Sequence, residues 1–127
     1  MSAGPILDAR VVHRVHAGLT LDARIRLGRE IGVLFGRSGA GKSTLLRAVA
    51  GLTRPDAGEV VLDGTRLFDS ARRVDVPLRK RRIGMIFQDD LLFPHLDVAA
   101  NVGFGLHGGT RADRARRVQE VASLCGI

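Results

Sequence analysis

Eight residues, GRSGAGKS from Gly36 to Ser43, set three glycines, a lysine and a serine at fixed offsets. They fit the pattern G-x-x-x-x-G-K-[ST], and each position has a chemical reason. A loop that wraps a polyphosphate must turn its backbone N–H groups inward, and Gly36, Gly39 and Gly41 leave no side chain in the way. Arg37, Ser38 and Ala40 fill the intervening positions and contribute backbone to the same cradle. Lys42 is placed to reach the outer phosphates, and the Ser43 hydroxyl suits a hard cation such as Mg²⁺. Thr44 supplies the next N–H along. A chance match is the competing reading, and the scarcity of lysine in this chain argues against it.

Such a loop works only between an apolar strand and a helix whose positive end faces the anion. Both are expected here. IGVLF (31–35) is a continuous apolar run, as for a strand buried on both faces. KSTLLRAVAG, from Lys42, reads as a helix ending at Gly51. Further elements follow the same logic. LTLDARIRL (19–27) alternates apolar and polar, predicting a half-buried strand, and Ile6 to Val12 is a piece that would pair with it. EVVLDG predicts a strand closing on an Asp-Gly turn, and RIGMIF (82–87) a second buried strand. After Gln88 the character changes. Asp97 is placed to cap a short helix through Leu106, which HGG (107–109) breaks. Thr110 and Asp113 then form a capping-box-like start for a last helix, with Ala112, Ala115, Val118, Ala122 and Cys125 on one face and arginines opposite.

The 127 residues fit one small domain, and 45% hydrophobic with 26% charged residues fits a folded chain. No apolar run is long enough to span a bilayer, and the N-terminus lacks a basic stretch leading into a long apolar core. A single cysteine, Cys125, excludes an internal disulfide and a cysteine-built zinc site. The expectation is a cytoplasmic protein. The net charge of +7 comes from arginine, and ARRVDVPLRKRR (71–82) is its densest run. A basic nucleic-acid-binding module has only this charge in its favour. With no Tyr and no Trp, the stacking platforms of single-strand binders are missing, so the run reads as a solvated face.

GRSGAGKSTLLRAVAGLTRPDAGEVVLDG and RKRRIGMIFQDDLLFPHLDVAANVGFGL together resemble the first half of an ATP-binding cassette (ABC) ATPase. FPHL is typical of the importer branch, and the spacing between the blocks looks closest to the molybdate importers. The likeness covers residues 18 to 127. It implies an α/β P-loop NTPase fold of ABC type, with an antiparallel β subdomain, a partial parallel core sheet and the start of the helical subdomain. Residues 1–88 would be the first part of the nucleotide-binding core, and 89–127 the glutamine loop and the beginning of that helical subdomain.

The resemblance further implies ATP and Mg²⁺ as cofactors, with Ser43 and Gln88 on the metal side. Gln88 would touch Mg²⁺ and the attacking water, a task that suits a neutral amide. Residues of about 89–104 would meet a transmembrane permease, with Phe93, Pro94, His95 and Leu96 lining the groove; His95 reads equally well as an ordinary surface histidine. A second ATP-binding subunit would complete a dimer on the inner face of the cell membrane. The function implied is ATP hydrolysis energising uptake of an oxyanion, molybdate by this likeness. Two departures stand beside it. No aromatic residue precedes Phe35 to stack on adenine, leaving only the region of His13 to His16 as a substitute. The family's signature motif, metal-holding aspartate, catalytic glutamate and switch histidine find no match in these residues. A nucleotide-binding remnant that hydrolyses nothing is therefore the alternative. Either way, the apolar core strands would lack neighbours, and the expectation for the isolated chain is aggregation or partial disorder.

Overall fold

The computed structural model describes residues 4–16, 18–89 and 91–127. They fall into two compact units, Met1–Met85 and Ile86–Ile127. In the first, strand β1 (Leu7–His16) pairs antiparallel with β2 (Leu19–Leu27). The alternation in β2 puts Leu21, Ala23 and Ile25 against the core, where β1 contributes the fully buried Ala9 and Val11. The opposite face carries the charge. There Arg10 lies directly across from Arg24, a like-charged arrangement that would destabilise the pair. It is neutralised on the diagonals. Arg10 donates to Asp22 at 3.2 and 3.0 Å, and Arg24 to Asp8 at 3.0 and 2.9 Å.

Three more strands extend the sheet: β3 (Ala57–Leu62), β4 (Thr65–Asp69) and the short β5 (Val74–Asp75). The order is β2-β1-β3-β4-β5, and every pairing is antiparallel. Asp63-Gly64 makes the tight connection between β3 and β4 that the sequence predicts. Helix α1 (Lys42–Ala50) lays Leu45, Ala48 and Val49 on the apolar face, joining Val60, Leu67 and Phe68 in one buried cluster.

Two expectations are corrected. IGVLF is expected as a strand buried on both faces of a parallel core sheet and RIGMIF as a second buried strand, yet residues 31–37 and 82–87 run without any ladder. Ile31 and Phe35 are 95% and 99% exposed, and Ile86 98%. The reason is physical: a parallel strand needs a hydrogen-bonding neighbour and cover on both faces, and among the described residues neither segment has such a neighbour. β1 also runs on to His16, four residues past the expected Val12.

In the second unit, α2 (Val98–Gly103) starts at Asp97, whose side chain accepts from Ala100 N at 2.7 Å. Helix α3 (Arg111–Cys125) opens on a complete capping box: Asp113 N donates to Thr110 Oγ1 at 3.1 Å, and Thr110 N to Asp113 Oδ2 at 3.1 Å. Its small-residue face is only partly covered. Val118, Val121 and Ala122 are half-buried, while Ala112, Ala115 and Cys125 are exposed.

Candidate functional site

The loop Gly36–Gly41 closes on α1 by local chemistry alone. Ala40 N donates to Arg37 O at 3.2 Å, which makes the turn. Gly41 then stands at the helix N-cap with φ of 92°, a conformation that costs any residue with a Cβ. A Cβ there would also come within 3.0 Å of the Leu21 side chain on β2, so the loop is seated close against the sheet. The first amide of α1 to bond within the helix is Leu45, to Gly41 O at 2.9 Å. The amides of Lys42, Ser43 and Thr44 therefore sit at an end with no helical acceptor. Neither a side-chain cap nor an acidic residue in the first turn competes for them. This is an anion-seeking end.

Lys42 completes the loop. Its Nζ donates to Gly36 O at 2.7 Å and to Arg37 O at 2.8 Å. The ammonium is thereby held across the span of the loop, at the start of the helix. Residues 36–40 are exposed along their whole length, and Ser43 is exposed beside them. The nine residues singled out by spacing, Gly36 to Thr44, thus form one continuous stretch of loop and first helical turn.

Gln88 belongs to the second unit, exposed in a bend that follows the extended residues 82–87. In that same unit Phe93, Pro94 and Leu96 line an apolar hollow of about 410 Å³, with Val98 and Val102 from α2. The Phe93 ring lies 4.1 Å from that of Phe104 and 6.0 Å from that of His95, centroid to centroid. Sequence reasoning missed the residue that organises this loop. Asn101 Nδ2 donates to the carbonyls of Phe93, Leu96 and Asp97 at 3.2, 2.9 and 3.0 Å, and its Oδ1 accepts from Phe93 N at 2.9 Å. An asparagine inside a short helix is unremarkable in sequence, and no local signal marks it.

His13 is half-buried on β1, across from Leu21. Its Nδ1 stands 3.3 Å from Asp56 Oδ2 without completing a hydrogen bond, and the same carboxylate oxygen accepts from Arg14 N at 2.7 Å. Among the described residues no group of three or more His, Cys, Asp or Glu side chains converges to hold a metal ion. Among the described residues no helix is long and apolar enough to cross a membrane.

Residues 20–127 match the family described as "ABC transporter". The molybdenum import ATP-binding protein ModC of Rhodospirillum rubrum is 43% identical over 122 residues, which is 96% of this chain and 33% of that protein. The Fe(3+) ions import ATP-binding protein FbpC of Yersinia pestis bv. Antiqua is 47% identical over 94 residues, 74% of this chain and 26% of that one. A solved bacterial Atm1-family ABC exporter with ATP bound superposes with a TM-score of 0.70 at 24% identity, covering 100% of this chain and 22% of the exporter. The chain spans about a third of the length of the curated relatives it matches.

Proposed function

The chain belongs to the ABC transporter family, and from that premise we propose that it is the phosphate-gripping part of an importer's ATP-binding subunit. The observation that carries the reading is the Lys42 ammonium, held across the loop by the Gly36 and Arg37 carbonyls at 2.7 and 2.8 Å. It stands beside an uncapped helix end free of acidic residues. A polyphosphate fits this donor set. The loop and first-turn amides would hold its oxygens, and Lys42 would exchange its carbonyl partners for the outer phosphates.

Mg²⁺ fits as well. It is commonly held by one or two protein oxygens together with substrate phosphates, so no cluster of carboxylates is required. The exposed Ser43 hydroxyl in the first turn of α1 is the oxygen we assign to it; for Gln88 a metal role is implied by the family resemblance alone. The ion, when bound, neutralises charge on the phosphates. Hydrolysis itself would be an activity of the whole subunit.

Residues 1–88 would serve as the nucleotide-binding core and 89–127 as the glutamine loop with the start of the helical subdomain. The apolar hollow at Phe93, Pro94 and Leu96 supports a permease-facing role for residues of about 89–104. This would place the subunit peripherally on the inner face of the membrane, paired with a second ATP-binding subunit. Molybdate is the cargo we favour, supported by the 43% identity to the molybdenum import protein over nearly the whole chain. The experiment is a titration of the wild type and Lys42→Ala with Mg-ATP. Binding by the wild type and its loss in the variant, with helix content unchanged, is expected. Equal affinity of the two sinks the reading.

A further inference from the structure

We propose that Arg81 is a positioning residue for nucleotide binding: it locks the C-terminal end of α1 to the antiparallel sheet and so fixes Lys42 and the first-turn amides at the other end. The proposal rests on the ATP-binding reading. Arg81 falls within the run expected to be solvated, yet its side chain is 2% exposed. Four bonds account for its head group. Nη1 donates to Ala48 O at 3.1 Å and to Val49 O at 3.0 Å, both at the end of α1. Nε donates to Val76 O at 2.8 Å, and Nη2 to Asp75 Oδ1 at 3.1 Å. Asp75 sits on β5, opposite Phe68 of β4, so one guanidinium joins the loop helix to the sheet.

A second residue shows that the fold makes room for this contact. Gly51 ends α1 with φ of 90°, and a Cβ there would stand 2.5 Å from Arg81 Nε and 2.8 Å from Cζ. Only glycine admits the head group. Besides these bonds, α1 meets the sheet through the apolar contact of Leu45, Ala48 and Val49, and apolar contact is non-directional. Hydrogen bonds set direction, and the planar arginine fork can aim at several acceptors together as an ammonium cannot. Helix α1 has nine residues and is therefore about 13 Å long, so tilt released at its C-terminal end displaces Lys42 with it. The cation also opposes the negative end of the helix dipole, the favourable sense.

The test is a fluorescence titration of the full 127-residue chain with MANT-ATP and Mg²⁺, run beside thermal melts. The set comprises wild type, Arg81→Met, Arg81→Lys, Gly51→Ala and a core control, Val60→Ala. Arg81→Met and Gly51→Ala should each raise Kd about tenfold, equivalent to about 1.4 kcal/mol, with Arg81→Lys between them and wild type. Val60→Ala should lower Tm at least as far while holding Kd within about twofold. Wild-type Kd in the Arg81 and Gly51 variants overturns the proposal, as does a matching rise in Val60→Ala. If Arg81→Met loses its helical circular dichroism, Arg81→Lys decides by the same comparison. Failure of the wild type itself to bind overturns the ATP-binding reading and the proposal with it; binding by all variants alike overturns the proposal alone.

Discussion

Asn101 and Phe93 hold each other through both polar groups of each: Phe93 N donates to Asn101 Oδ1 at 2.9 Å, and Asn101 Nδ2 donates back to Phe93 O at 3.2 Å. Eight residues apart, they close the Phe93–Leu96 turn onto the start of α2. Asn101→Ala should therefore free the turn while leaving α3 intact. Amide exchange at Phe93 should quicken roughly fivefold, on the scale of one lost hydrogen bond of about 1 kcal/mol. Exchange at Phe93 as slow as in the wild type would show that the ring contact with Phe104 holds the turn unaided.

Core and loop phenylalanines should respond oppositely. Phe68 is 2% exposed and closes the cluster formed by Val11, Val60 and Leu45, whereas Phe35 is 99% exposed. Phe68→Ala should cost about 3–5 kcal/mol, measured by urea unfolding. Phe35→Ser should leave stability within about 0.5 kcal/mol and reduce light scattering at high concentration, because it removes exposed apolar surface. A large destabilisation by Phe35→Ser would mean that residue is covered in solution.

Acid should weaken the sheet through its aspartates. Asp8 is held below the ordinary carboxylate range chiefly by its hydrogen bond from Arg24, against the opposing effect of desolvation and with help from Arg26. Asp22 is lowered first by Arg10, and Asp69 first by the Arg72 backbone amide. A carboxylate lowered in the folded state contributes stability that is present above the unfolded value of about 3.9 and is lost as pH falls through the folded value. Melting temperature should hold from pH 7 to about 5 and drop below about pH 4. In Asp8→Asn that drop should be shallower. A melting temperature that rises between pH 5 and 3 would contradict this account of the ion pairs.

What the sequence showed and what it hid divide by the range of the forces involved. The Gly36–Thr44 loop, the start and stop of α1 at Lys42 and Gly51, β2, the Asp63-Gly64 turn and the Thr110–Asp113 box are set by neighbouring residues, and all were legible. Arg81 was not. Its run is one of arginines, and only the acceptors that folding gathers from α1, Asp75 and Val76 draw this one inside. IGVLF and RIGMIF carry strand-like composition, but a ladder requires a partner strand, which composition does not supply. Asn101 acts through carbonyls four to eight residues upstream, a geometry that helix and loop create only after folding.

Gln88 offers a separation of binding from turnover. Being exposed and remote in sequence from the loop, it should be dispensable for the grip on phosphates. Gln88→Ala should change Mg-ATP affinity by less than about threefold. In an assembled transporter carrying the substitution, stimulated hydrolysis and uptake should fall together. Normal uptake in that transporter would remove Gln88 from the site.

The cradle is tested most directly by following backbone amide resonances of the ¹⁵N-labelled chain during a Mg-ATP titration. The largest shifts should fall at Gly39, Gly41, Lys42, Ser43 and Thr44, saturating with one affinity, and should vanish in Lys42→Ala. Shifts centred elsewhere, on the arginine run 71–82 for example, or undiminished in Lys42→Ala, would contradict the assignment of this loop as the phosphate site.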